Sequence, residues 1–429
     1  MKHYLLLAAL AVAAPLHLNA KPAVPTIEQL AAFPDISSLS VSPDGTQIAG
    51  LQARGEERVI LVWKTDDLSA APTTIGAGRM KFQSVGFIKN GLLAVTLWQP
   101  FDLRTDRVNK TFISKFFITD TEGKQWKEPI SVPRATSRNE ELEQALSNAT
   151  VLDTLPNDPD HILVVNGSGS NSGDVYKVNL RSFTSQRIQK TEERVAGYLT
   201  DLNSELRARL RQDVDGTGAY VATEFRNPAT NAWEEHFRSH VKDRDITQVV
   251  GFADDPNIAF IQSNVGRDKT IIYEYDITAR KQREVLFEHK FFNAGTVHVN
   301  RYKDVEGVPF GALLGVTYSG PRENEVEWTH PVFKGLNQGV RQALGIQSSD
   351  VTLVDPATGQ RATTQADTGR AVRVIDYSKD LKTFVLAVSG PANPPEYHLL
   401  RNGKLTLLAK SYPKIDPAAL GDTLSLIHI

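Results

Sequence analysis

Val41-Ser-Pro-Asp-Gly-Thr-Gln-Ile-Ala-Gly50 is the stretch from which the fold is read. Pro43-Asp44-Gly45 is turn chemistry: proline presets φ, aspartate bonds its own backbone, and glycine supplies a positive φ. The run that follows has outward polar and inward apolar residues (Gln47, Ile48, Ala49, Leu51), as a half-buried strand does. Arg54-Gly55-Glu56-Glu57 turns the chain into Val59-Ile60-Leu61-Val62-Trp63, a more continuously apolar strand, and Lys64-Thr65-Asp66-Asp67 stops it. Turn, strand, turn, strand makes up most of one small antiparallel sheet.

The rest of the chain repeats that unit. A second copy spans Phe82 to Asp120, with Asn90-Gly91 between apolar runs as a strong hairpin signal. A polar helix is expected from Ser137 to about Ser147. The third copy holds Val151–Leu155, Ile162–Val165 and Asp174–Asn179. The fourth carries Asp213–Gly216 into Ala219–Thr223, and the fifth holds Val249–Phe252, Ile258–Ile261 and Thr270–Asp276. The sixth is blurred: Val297–Val299, Leu313–Tyr318 and an inserted helix near Asn337 to Leu344. The seventh runs through Val372–Tyr377, Thr383–Ser389 and Tyr397–Leu400. Seven such copies predict an all-β fold, a seven-bladed β-propeller over residues 37–410. A single sheet cannot bury both of its faces, and stacking around a ring covers them while leaving few open edges. Stacked sandwiches are the competing architecture, since a strand pattern does not itself display ring closure.

Of 429 residues, 48 are basic and 50 acidic, giving a net charge of −2, so nothing points to nucleic acid or to an anionic membrane surface. There is no cysteine, which removes disulfides, thiol nucleophiles and cysteine-ligated zinc from consideration. Residues 1–20 read as a signal peptide: a basic Met1–Tyr4, an apolar Leu5–Leu18 broken by Pro15 and His17, and the small-residue site Leu18-Asn19-Ala20. The run is too short to span a membrane. An exported protein, periplasmic or extracellular, with no membrane contact after cleavage is expected. Residues 21–36 are then a leader and a short helix, Ile27 to Phe33, capped by Thr26 and ended by Pro34-Asp35.

An exported leader, a short helix, Pro34-Asp35-Ile36 and then Val41-Ser-Pro-Asp-Gly45 resemble the start of bacterial prolyl-oligopeptidase-family serine peptidases, the group of dipeptidyl and acylaminoacyl peptidases. Val388 to Leu399, with Pro391-Ala392-Asn393-Pro394-Pro395-Glu396-Tyr397, and the exit Tyr412 to Leu420 resemble the same family. The resemblance implies a propeller followed by an α/β-hydrolase domain that holds Ser, Asp and His, the serine on a Gly-x-Ser-x-Gly elbow. This sequence has no such elbow. The nearest string, Gly167 to Gly173, joins two strands and never centres a serine between the required glycines. Residues 411–423 read as the start of a linker, with Leu405 to Leu420 leaving the ring. Leu424-Ser-Leu-Ile-His-Ile429 resembles a translated sequencing adaptor, a scar excluded from fold reasoning, with a natural apolar strand as the alternative. No catalytic residue is assigned within the chain, and the substrate-binding residues are unknown.

Other constellations carry less. His236 and His240 have the i,i+4 spacing of a zinc pair on a helix, but they lie between strand signals, so surface positions on an outer strand are expected and no metal site is assigned. Dipeptidyl peptidases of the resembled family hold the substrate amino group with paired glutamates of the propeller. Glu140-Glu141 and Glu234-Glu235 are the candidate pairs, and solvated charge is the favoured reading of both. Trp63, Trp98, Trp126, Trp233 and Trp328 are expected to pack between or at the edges of blades. No cofactor is implied. The expectation is a substrate-gating propeller of an exported serine peptidase whose short peptide substrates meet a hydrolase domain outside this sequence. The alternative is a stand-alone, non-enzymatic exported propeller that binds a peptide or protein. Its discriminator is whether the ring closes with a final strand of its own.

Overall fold

The structure, a computed structural model, describes residues 24–102, 110–132, 134–167, 173–320, 324–354, 359–367 and 369–421. The expected signal segment, the terminal hexapeptide and the centre of the Gly167–Gly173 string lie outside these residues.

Six four-stranded sheets and one three-stranded sheet, each with its strands hydrogen-bonded in sequence order, form the seven blades of a β-propeller. Blade 1 consists of Ile36–Val41, Gln47–Arg54, Glu57–Lys64 and Thr73–Ile75. The innermost strands of the following blades are Lys81–Lys89, Asn148–Asp153, Val195–Thr200, Thr247–Phe252, Ala294–Val299 and Ala371–Tyr377. Turn chemistry acts where the sequence places it. Gly45 and Gly91 take φ of +72° and +73°, and Lys89 pairs with Leu92 across the two-residue Asn90-Gly91 loop. In every blade the register shifts once or more between the innermost strand and its partner. Such bulges bend a strand and increase its twist, which a sheet fanning out from an axis requires.

The core is divided among the seams. Ala49, Leu51 and Ile60 of blade 1 pack on Phe82, Val85 and Leu93 of blade 2, and a separate buried cluster fills each further interface around the ring. The last seam closes the circle: Ile36, Leu39, Val41 and Ile48 pack against Val385 and Leu399 of blade 7. No strand is exchanged there, since blades 1 and 7 are each built from consecutive strands. Closure rests on packing and on specific polar contacts. Asp376 Oδ2 accepts hydrogen bonds from Ser40 Oγ and from Val41 N, both at 2.8 Å, and Ser40 Oγ in turn accepts from Phe87 N at 3.0 Å. The deciding turn docks here as well. A Cβ on Gly45 would lie 2.7 Å from Thr383 Oγ1, so the glycine is required by contact as well as by φ.

Three helices decorate the ring: α1 (Ile27–Ala31), α2 (Arg138–Leu146) and α3 (Pro331–Ala343). Thr26 forms a complete capping box with Gln29, and Ser137 caps α2, as their sequences imply. Two expectations need correction. Helix α3 begins at Pro331, well before Asn337, because His330 caps it and proline suits the first helical turn. Residues 405–410 are not linker: Lys404–Lys410 is the outermost strand of blade 7, its apolar residues paired along Asn393–Arg401. The ring therefore closes with a final strand of its own, and the discriminator offered by the sequence no longer speaks against a stand-alone propeller.

Candidate functional site

Strand directions define two faces. The lower face carries the turns between first and second strands, among them Pro43–Gly45, Asn90-Gly91 and Pro156–Asp160. The upper face carries the turns between second and third strands and the crossovers between blades. The chain joins and leaves the ring at the upper face, where Asp35 N donates to Ser411 O at 2.6 Å and Gln29 Nε2 of α1 donates to Lys414 O at 3.2 Å.

At the lower face the turns hold one another. Asp44 N donates to Asn90 Oδ1 at 3.0 Å, and Lys379 N donates to Pro43 O at 2.8 Å. Lys89 Nζ, largely buried, donates to the carbonyls of Thr154 and Leu155 at 2.7 and 2.8 Å, and also to that of Asp158. One connection is longer than the others. Between Val299 and Leu313 the chain leaves blade 6 and reaches blade 3, where Arg301 Nη2 lies 2.7 Å from both carboxylate oxygens of Asp153. Asn157 fixes the same segment twice: its Nδ2 donates to Arg301 O at 2.9 Å and its Oδ1 accepts from Lys303 N at 3.1 Å. Blades 3 and 6 are not neighbours in a seven-membered ring, so this contact crosses the axis. The lower mouth of the tunnel is strapped.

Two cavities open toward the upper face. The first, of about 700 Å³, lies between blades 2 and 3 under α2 and is acidic, with Glu128, Glu140, Glu141, Glu143 and Asp174 against Lys115. Much of that charge is engaged. Glu140 accepts from Thr136 N and Oγ1 at 2.7 and 2.8 Å, bonds that lower its pKa, and Glu141 pairs with Arg138 at 2.8 Å. Lys115 Nζ donates to the Gln144 carbonyl at 2.9 Å, where a cation meets the negative end of the α2 dipole. Glu128 and Glu143 have no partner among the described residues. The second cavity, of about 890 Å³, lies between blades 6 and 7 beside α3.

The residues singled out in the sequence separate accordingly. Glu140-Glu141 lies on a cavity wall, tied to its own helix. Glu234-Glu235 lies on the outermost strand of blade 4, away from both cavities. Glu234 accepts from Asn227 and Arg280, both at 2.7 Å, and Glu235 binds Arg238 and Arg211; these bonds lower both pKa values. His236 and His240 share that strand without sharing a ligand site. His240 lies 3.0 Å from Asp215, whereas His236 is half-buried, not on the surface, and lies 3.1 Å from the Tyr275 hydroxyl. Burial pulls the His236 pKa down to about 4. Among the described residues no group of His, Asp and Glu could hold a metal, and no helix is long and apolar enough to cross a membrane. Trp63, Trp126 and Trp233 pack within or between blades as expected, while Trp328 also lines the second cavity. The strap and the second cavity were missed; the separation of Val299 from Leu313, where other blades have tight turns, was the available signal.

No family model matches the sequence. Over 152 residues, 35% of this chain, it is 28% identical to dipeptidyl aminopeptidase BIII of Pseudoxanthomonas mexicana, a stretch that spans 22% of that protein. The chain thus matches well under two thirds of the curated relative's length. Among solved structures, a puromycin-hydrolyzing peptidase of Mycobacterium tuberculosis superposes with a TM-score of 0.50 at 10% identity, over 92% of this chain and 56% of that one. The β-propeller domain of the Trilobed protease from Pyrococcus furiosus superposes with a TM-score of 0.48 at 10% identity, over 88% of this chain and 96% of that one. The chain is a seven-bladed β-propeller that is similar over about a third of its length to part of a dipeptidyl aminopeptidase.

Proposed function

We propose that this propeller admits short peptides to the catalytic domain of an exported serine peptidase, and that the domain sits on the upper face. One observation carries the reading. The two ends of the ring meet at the upper face, both cavities open there, and the opposite mouth is crossed by the Arg301–Asp153 strap. A domain continuous with the chain would cover that face and shut the cavities into a shared chamber, with the ring wall limiting the size of what enters. Kinship with a dipeptidyl aminopeptidase supports a peptide substrate. The test is to sequence the gene beyond the codon for Leu420 and to express the whole reading frame. A frame that continues into a Gly-x-Ser-x-Gly elbow followed by Asp and His, with peptidase activity abolished by changing that serine, is the expected result. A stop codon after Ile429 in the genome overturns it.

A second reading is favoured by the final strand Lys404–Lys410, which completes blade 7 within this chain. On that reading the ring is a self-sufficient module that binds a peptide or protein partner without catalysis. A purified chain that is monomeric and cooperative in unfolding while the gene ends at Ile429 would establish it.

A further inference from the structure

The second cavity differs from the first in charge and in construction. Blade 6 has three strands; α3 and the hairpin of Ser348–Val354 with Arg361–Asp367 follow it and lead into blade 7. Arg341 of α3 is ion-paired with Asp367 and donates to Ser348 Oγ at 2.6 Å, so the wall is braced and this guanidinium is neutralised. The rim is equally fixed. Asn393 Nδ2 donates to Gly369 O at 3.0 Å, and Gly390 approaches the same carbonyl so closely that a Cβ there would lie 1.7 Å from it.

Two further guanidiniums line the cavity without a carboxylate of their own. Arg370 donates from Nη2 to the neutral Leu344 carbonyl at 3.0 Å, leaving its charge uncompensated and its other N–H groups available. Arg373 stands exposed on the innermost strand of blade 7, and its guanidinium has no hydrogen-bond or ion-pair partner among the described residues. On the opposite wall, Glu325 Oε2 accepts from the Tyr318 hydroxyl at 2.8 Å. His298 lies 3.0 Å from Thr317 Oγ1, and its burial favours the neutral ring. Apolar surface between these groups comes from Val326, Trp328, Val372 and Val374. The cavity thus combines surplus positive charge with an aromatic and aliphatic wall, in a volume that suits a few amino-acid residues.

We propose that this cavity binds a short peptide through a carboxylate, its C-terminus or an acidic side chain, held by Arg373 and Arg370 while adjoining apolar side chains pack on Trp328 and Val374. Guanidinium presents paired donors that match the two oxygens of a carboxylate. The acidic first cavity would repel the same group, which decides between the two. This inference rests on the peptide-admitting reading above, and the experiment separates their failures.

The purified chain is titrated calorimetrically with Ala-Ala-Leu-Leu as the free acid, the same peptide as its C-terminal amide, and inorganic phosphate. The expected result is that the free acid binds at least tenfold tighter than the amide, that Arg373→Met and Arg370→Met each shrink that preference severalfold, and that Arg373→Lys keeps part of it. Unchanged circular dichroism shows that the variants fold. Equal binding of acid and amide overturns the carboxylate assignment and leaves the peptide reading standing. Absence of binding by either peptide at millimolar concentration counts against both. Phosphate displacing the free acid at matching concentration overturns the peptide class, leaving a general anion site.

Discussion

Removing the carboxylate of Asp376 tests how the ring is closed. With no strand shared between blades 1 and 7, the seam depends on one apolar cluster and on a few polar contacts, chief among them Asp376, whose Oδ2 receives Ser40 Oγ and Val41 N at 2.8 Å each. Asp376→Ala leaves a largely buried amide and hydroxyl without their acceptor. At about 1–3 kcal/mol for each stranded group, moderated where water enters the gap, the loss should be about 2–4 kcal/mol. That is a large share of the roughly 5–15 kcal/mol by which domains are stable. Asp376→Asn keeps an oxygen acceptor and removes the charge, so it should lose much less. The two variants also separate in pH. Burial raises the Asp376 pKa above the ordinary carboxylate range, more than its bonds to Val41 and Ser40 lower it. Between the ordinary value and the raised one the native state holds the proton more firmly than the unfolded chain. The contribution of this group is therefore full below about 3.9 and lost as pH rises through the raised pKa. Asp376→Asn should accordingly gain on the wild type as pH rises above about 4. Urea unfolding at several pH values, with hydrogen exchange of the Val41 amide, measures both effects. Wild-type stability and Val41 protection in Asp376→Ala, or equal damage from alanine and asparagine, would refute this account of the seam.

Three more outcomes are expected. Asp153→Ala together with Asn157→Ala should release the strap, so trypsin should cut after Arg301 and Lys303 at least tenfold faster than in the wild type while the circular dichroism is unchanged, and Asp153→Ala alone should give a smaller increase; an unaltered cleavage rate in the double variant means that these contacts do not hold the segment. His236, whose pKa is depressed to about 4 by burial, contributes stability that is present above about 6.5 and lost as pH falls toward 4, so His236→Gln should flatten acid unfolding over that window; an NMR titration midpoint near 6.5 contradicts this. Gly390→Ala forces a Cβ to 1.7 Å from the Gly369 carbonyl oxygen, which no side-chain rotation relieves, and should cost about 2 kcal/mol or more in urea unfolding; a variant as stable as the wild type would mean that the hairpin yields there.

Much of the fold was legible because its signals are local. Asn90-Gly91 and Pro43-Asp44-Gly45 specify turns whose geometry needs no distant partner, and the Thr26 and Ser137 caps mark helix starts within four residues. The sixth blade was blurred because its sheet has three strands and is followed by α3 and a hairpin in place of a fourth, and the start of α3 depends on His330 acting as a cap, which few sequence patterns announce. Reading residues 405–410 as already leaving the ring failed for a related reason. Lys404–Lys410 alternates only weakly, and it becomes a strand because Asn393–Arg401 offers an open edge.

The candidate sites were far less legible. Glu140-Glu141 and His236 with His240 drew attention by spacing, yet their roles follow from neighbours remote in sequence: Tyr275 beside His236, and the wall of a cavity shared with blade 3 beside Glu140. Arg301 and Asp153 lie 148 residues apart and Asp376 and Ser40 lie 336 apart, and nothing in their local sequence links them. The sequence by itself determined the repeating four-stranded unit, since turns and two-residue periodicity are properties of short segments. The tertiary structure alone decided which mouth is strapped, where the ring ends meet and which cavity carries positive charge, because each depends on blades that only the closed circle brings face to face.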